Sequence, residues 1–239
     1  MSLILAHRGA SGYAPENTLE AFRLAMDMGA DGFELDVHLS LDGELVVIHD
    51  ERVDRTTNGT GSVGSFTLQE LKALNASNGM EGFSGARIPT LGEVYDLIQN
   101  TSHVINVEIK TDEALYPGIV EKLLKLEEQK HMTGRLIYSS FNHYTLMELK
   151  ALSPKSPFGI LYSDGLYEPW KYAASLGAKF IHPHYRTLLL PGLIEGSLQA
   201  GIGINPWTVN DEQTMALCAK YNIGIITNYP DKAVRIAKA

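Results

Sequence analysis

The chain has 239 residues, 44% hydrophobic and 20% charged, with 22 Gly, 10 Pro and one Cys. That composition suits a globular chain with a sizeable core and excludes a disordered segment, a collagen-like repeat or a disulfide scaffold. Acidic residues outnumber basic ones by 28 to 20, and a net charge of -8 without a basic stripe would repel a polyphosphate backbone, so no nucleic acid partner is expected. Cys218 has no partner for an internal bridge, which fits a reducing compartment and rules out a cysteine-built metal cluster. No apolar run reaches the roughly 18 to 20 residues of a bilayer span, and residues 1–10 lack a secretory apolar region. A cytoplasmic chain with no integral membrane segment is the expectation.

Short β-branched runs alternate along the chain with stretches that suit helices. The first run is 3–6. After it, Asn17 is placed as an N-cap with Glu20 as its capping-box partner, and Leu19, Phe22, Ala25 and Met26 share a helical face that Gly29 ends. The second run, 32–39, alternates sides, so Glu34, Asp36 and His38 face one way. The pair Asp42-Gly43 reads as a two-residue hairpin turn, and the run 44–49 should return antiparallel. Counting out from that turn pairs Leu41 with Glu44 and Asp36 with His49.

An antiparallel return strand has no place in a parallel barrel wall, so residues 37–90 are read as an inserted hairpin and loop subdomain. Its stretch 54–61 has turn chemistry throughout and too few apolar residues for a core of its own, and Thr90 with Glu93 forms a capping box where it ends. Further strands are placed at 104–110, 136–140, 158–162, 180–184, 202–207 and 224–227. With the first two they make eight. Eight parallel strands with helical crossovers in about 250 residues is the size of an α/β TIM (β/α)8 barrel. Residues 1–239 are therefore read as one barrel domain, with an open doubly wound sheet as the rival.

A barrel predicts catalytic groups at the C-terminal ends of its strands. His7 and Arg8 end the first strand, Glu34 and Asp36 lie on the second, the hairpin delivers His49, Glu108 and Lys110 end the third and Trp207 the seventh. Glu34, Asp36 and Glu108 would repel one another, and oxygen ligands select one hard divalent cation, Mg2+ or Ca2+. His7 and His49 can supply a general base and a general acid. Arg8 and Lys110 suit an anionic substrate such as a phosphate ester, or else neutralise Glu34 or Glu108. Trp207 can wall the alcohol part of a substrate or close the rim. Glu16 and Asn17 are assigned to the helix cap, in a loop that overhangs the proposed mouth, and His182 and His184, which share one side of their strand, suit strand-end packing as much as ligation.

The segments His7-Arg8-Gly9, Pro15-Glu16-Asn17-Thr18, Glu34-Leu35-Asp36-Val37, Val47-Ile48-His49-Asp50 and Val107-Glu108-Ile109-Lys110 resemble the glycerophosphodiester phosphodiesterase family. The resemblance weakens beyond Lys110, where Pro206-Trp207-Thr208 and Thr227-Asn228-Tyr229-Pro230 carry it. It implies a TIM barrel with a small insertion after strand two that hydrolyses glycerophosphodiesters to glycerol 3-phosphate and an alcohol. It implies Glu34, Asp36 and Glu108 as metal ligands, His7 and His49 as catalytic residues, Arg8 and Lys110 at the phosphate and Trp207 near the glycerol. The expected partner is a small-molecule substrate, with a homodimer left open. Asn228 stands where the family usually has Asp, and Ser40 where Thr is common. The alternatives are the same chemistry on lysophospholipids, a barrel hydrolase acting on a carbonyl or amide, and a non-catalytic phosphoester-binding barrel.

Overall fold

Nine strands carry the architecture of the computed structural model, which describes residues 1–238. They are β1 (Ile4–His7), β2 (Gly32–Leu39), β3 (Leu45–Val47), β4 (Val104–Ile109), β5 (Leu136–Ser140), β6 (Phe158–Tyr162), β7 (Phe180–Pro183), β8 (Gly203–Ile204) and β9 (Ile225–Thr227). The helices are α1 (Leu19–Asp27), α2 (Leu68–Ala73), α3 (Leu91–Ile98), α4 (Ile119–Gln129), α5 (His143–Leu152), α6 (Pro169–Leu176), α7 (Leu193–Gln199), α8 (Glu212–Tyr221) and α9 (Pro230–Ala237).

All strands but β3 pair in parallel, in the order β8-β7-β6-β5-β4-β2-β1-β9. The two ends of this curled sheet meet, because Gly224 N–H donates to the Ile204 carbonyl at 2.8 Å and Ile226 N–H to that of Pro206 at 3.1 Å. The fold is a TIM (β/α)8 barrel, as the spacing of the runs predicts.

Strand periodicity divides the interior in two. Phe33, Leu35 and Val37 on β2, with Ile105, Val107 and Ile109 on β4, pack outward in one apolar cluster with Phe22 and Ala25 of α1 and Leu91, Val94 and Ile98 of α3. The alternate residues Glu34, Asp36, Asn106, Glu108, His182 and Asn205 are buried polar groups on the barrel side. They bond across strands: Asn106 Nδ2 donates to Ser139 Oγ at 2.9 Å, and Asn205 Nδ2 to His182 Nε2 at 3.1 Å. His182 is thus a packing residue of the barrel centre, fully buried.

Three local expectations change. The N-cap of α1 is Thr18, whose side chain accepts from Ala21 N–H, and Asn17 sits before it at a left-handed φ of 56°. The β2–β3 pairing is Val37 with Val47, His38 with Val46 and Leu39 with Leu45, one residue out of the expected register. The loop is three residues long, not two: Gly43 N–H closes a turn onto the Ser40 carbonyl at 2.9 Å, and Gly43 itself takes the left-handed place after it with φ 80°. Asp36 therefore stands opposite Ile48, whose N–H donates to its carbonyl at 3.1 Å, and His49 lies one position further. Third, the segment after β3 does have a small core, since Val46, Ile48, Val53, Val63, Leu71, Ala76 and Ile88 form a second buried cluster. The capping box at the start of α3 is present as expected, with Thr90 and Glu93 bonded in both directions.

Candidate active site

The mouth of the barrel is built by register. His7 pairs with Glu34 across β1 and β2, and Asp36 with Glu108 across β2 and β4, so the carboxylates of Glu34, Asp36 and Glu108 come together at neighbouring strand ends. One oxygen from each lies within 4.8 Å of the others, and all three residues are buried.

Burial, then the negative Asp36 and Glu108, pushes the Glu34 carboxyl well above its usual range. Burial and Asp36 likewise push Glu108 up to about 7, against the pull of Lys110. Burial works the same way on Asp36, but Arg8 outweighs it, with help from His49 and Lys110, and holds this carboxyl down at about 2. One firm anion flanked by two acids that resist ionising is a cluster that a cation would relieve. The donor set fits a hard divalent ion, and Asp36 Oδ1 is a buried acceptor with no hydrogen-bond partner.

Arg8 turns out of β1 at a left-handed φ of 57°, a costly conformation for a residue with a side chain. Its backbone N–H fixes it there, donating to the Glu34 carbonyl at 2.8 Å and to Glu34 Oε2 at 3.2 Å. Its guanidinium reaches Glu16 Oε1 at 2.9 Å and lies 3.4 Å from Asp36 Oδ2. Asn17 Nδ2 donates to that same Asp36 oxygen at 2.9 Å. Glu16 and Asn17 are thus site residues, not caps. The sequence signal was their place in a loop over the mouth, which the nearer helix start obscured. Lys110 is buried with its Nζ 3.1 Å from Glu108 Oε1.

The two histidines differ in their partners. His7 Nδ1 lies 2.7 Å from Asn228 Oδ1, an amide oxygen that can only accept, so the proton sits on Nδ1 and Nε2 is left as a base. Burial, then Arg8, lowers this imidazole to about 3. His49 Nδ1 bonds the Asp50 carboxylate at 2.6 Å, and His38 Nε2–H donates to the His49 carbonyl at 3.0 Å. His49 lines one cavity with His7, Arg8, Glu34 and Glu108. Phe141, Leu161 and Trp207 form its apolar side. The Trp207 indole is pinned by its N–H to the His182 carbonyl at 2.9 Å and meets Phe141 edge-on at 5.6 Å. Asn228 was legible only as a departure, Asp50 only as part of the His49-Asp50 segment, and His38 only by sharing the strand face of Glu34 and Asp36.

Fold and mouth together define an α/β-barrel enzyme with an acidic, cation-competent pocket. The sequence profile of the glycerophosphoryl diester phosphodiesterase family matches residues 7–232, and the chain belongs to that family. It is 47% identical over 239 residues to a glycerophosphodiester phosphodiesterase of Caldanaerobacter subterraneus, covering 99% of this chain and 98% of the relative. A Bacillus altitudinis protein of the same name is 40% identical, covering 99% and 98%. Among solved structures, an Oleispira antarctica phosphodiesterase in complex with the product sn-glycerol-3-phosphate superposes with a TM-score of 0.92 at 30% identity, covering 100% of this chain and 98% of that one.

Proposed function

We propose that this protein hydrolyses glycerophosphodiesters, such as glycerophosphocholine, to glycerol 3-phosphate and an alcohol. The observation that carries the reading is the meeting of His7, His49, Glu34 and Glu108 around one cavity in a chain of this family. Glu34, Asp36 and Glu108 would hold one Mg2+ or Ca2+, which when bound supplies Lewis-acid polarisation of a phosphoryl oxygen. Arg8 and Lys110 keep fixed positive charge beside the same acids, where it offsets negative charge gathering on the phosphoryl group. His7 Nε2, unprotonated, takes the proton from the nucleophile, either water, which gives glycerol 3-phosphate directly, or the neighbouring glycerol hydroxyl, which gives a cyclic phosphate that a water then adds to and opens. The bond from phosphorus to the alcohol oxygen breaks as His49 returns a proton to that oxygen. Trp207 and Phe141 pack against the carbon part of the substrate.

A second reading, the same chemistry on lysophospholipids, is favoured by apolar side chains at the mouth end of the barrel. Leu166 and Tyr167, in the loop after β6, are 38% and 91% exposed, and Leu189 and Leu190, after β7, are 80% and 40% exposed. Among the described residues no helix is long and apolar enough to cross a membrane.

Turnover of the two substrates, each followed by its own product, tests both. Glycerol 3-phosphate release from glycerophosphocholine should be abolished by chelator and restored by added Mg2+ or Ca2+. His49→Ala and Glu108→Ala should lose turnover while keeping their circular dichroism. Activity indifferent to chelator would remove the cation from the mechanism, and faster turnover of lysophosphatidylcholine would replace the first reading with the second.

A further inference from the structure

Arg55 lies outside the barrel, in the segment that follows β3, and is 43% exposed. It nevertheless uses both edges of its guanidinium. Toward the inserted segment, Nε donates to Asp50 Oδ2 at 2.7 Å and Nη2 to Asp50 Oδ1 at 2.9 Å. Toward the barrel, Nη1 donates to Glu16 Oε2 at 2.7 Å and Nη2 to Glu16 Oε1 at 2.8 Å. Asp50 is the carboxylate that accepts from His49 Nδ1, and Glu16 is the one that accepts from Arg8, whose Nε lies 3.4 Å from Asp36. A line of alternating charge therefore runs His49, Asp50, Arg55, Glu16, Arg8, Asp36, with Arg55 as the link between the segment carrying one histidine and the barrel carrying the acids.

We propose that Arg55 is a positioning residue for the reaction: it orients His49 through Asp50 and fixes the inserted segment to the barrel rim through Glu16. The proposal rests on His49 serving as proton donor in the reading above. His49 stands two residues beyond the end of β3, past the reach of the ladder that sets β3 against β2. Its ring direction must come from side-chain bonds. A planar fork with five donors can meet two carboxylates at once, whereas an ammonium is a single point of charge. An ion pair this exposed contributes little to folding, so its selective value lies in geometry.

The test compares Arg55→Met and Arg55→Lys with the wild type, all loaded with divalent cation. Turnover of glycerophosphocholine should fall about 10 to 100-fold in kcat, the scale of a slight misplacement of a reacting group, while KM and the thermal midpoint stay near wild type. Arg55→Lys should recover little of the loss. Asp50→Asn should show a similar fall, and the Arg55→Met, Asp50→Asn double variant should fall no further, because both act through one imidazole. Unchanged kcat in Arg55→Met, full recovery by Arg55→Lys, or losses that multiply in the double variant would each overturn the proposal. The nitrogen NMR signal of His49 Nδ1 gives a readout that needs no turnover. It should move in Arg55→Met as the Asp50 bond loosens, and a signal that stays put would overturn the assignment. A wild type that releases no glycerol 3-phosphate would instead defeat the functional reading and leave the NMR result to judge Arg55.

Discussion

Asn228 shows how one side chain sets the working form of another. Its amide oxygen, 2.7 Å from His7 Nδ1, can only accept, so it fixes the tautomer that exposes Nε2 to the mouth. Asn228→Ala should reduce kcat roughly 10 to 100-fold with little change in thermal midpoint, the usual scale for losing the partner that orients an active-site imidazole. Asn228→Asp, which keeps an acceptor in place, should retain more activity than Asn228→Ala. Steady-state kinetics on glycerophosphocholine decides this. The residue scale was only half legible beforehand. Glu34, Asp36 and Glu108 announce themselves because acids two apart on a strand, or at matching strand ends, must share space. Glu16, Asn17 and Asn228 do not: the first two reach their partners only through the fold of the loop after β1, and Asn228 lies 221 residues from His7, brought near only by closure of the barrel.

The β2–β3 hairpin carries the consequence of a single glycine. With φ 80°, Gly43 supplies the left-handed residue that lengthens the loop to three and shifts β3 by one position against β2. Gly43→Ala should destabilise the protein by about 1 to 2 kcal/mol because a side chain there pays the left-handed penalty, and Gly43→Asn should cost less. Urea unfolding with an unchanged m-value would register both. A Cβ at this position would meet only the end of Lys122, 3.1 Å away, so crowding adds little. Strand positions were legible from period-two patterns, and β2, β5 and β6 begin and end where those patterns do. The hairpin register was not, because Asp42-Gly43 suits a two-residue turn and the second part of a three-residue loop equally. The cap of α1 failed for a similar reason: Asn17 and Thr18 are both good caps, and Asn17 is drawn away by Asp36.

At the scale of the molecule, the barrel keeps its aliphatic core between sheet and helices and packs buried polar groups along its axis, ending in the acid trio. Cation binding and protonation compete there. Without cation, Glu108 is held up from 4.5 to about 7, so this carboxyl holds more proton in the folded chain than in the unfolded one across that interval, while buried His7 and His182, lowered to about 3, work in the opposite direction. The Glu108 contribution to the stability of chelated protein should therefore decline as pH rises from about 4.5 toward about 7, and it is read as the difference between the wild type and Glu108→Gln. Added Mg2+ or Ca2+ should raise the thermal midpoint, and by more at pH 8 than at pH 5, because binding needs the deprotonated acids. Differential scanning calorimetry at the two pH values, with and without chelator, measures the difference. In Glu108→Gln the chelated protein should lose that contribution and the cation most of its effect. The barrel was legible from the number and spacing of strands. Its polar axis was visible only where acids alternated with aliphatics, as on β2.

The second apolar cluster, Val46 to Ile88, is separate from the barrel's own. Acids and His7 belong to the barrel strands, while His49 arrives on the module that carries the second cluster and is joined to the barrel through β3. A lineage could trade that module for another of different length and keep the ion cradle intact. Diversification in such enzymes would then run through the cassette above the pocket, with the scaffold passing from one chemistry to the next unaltered.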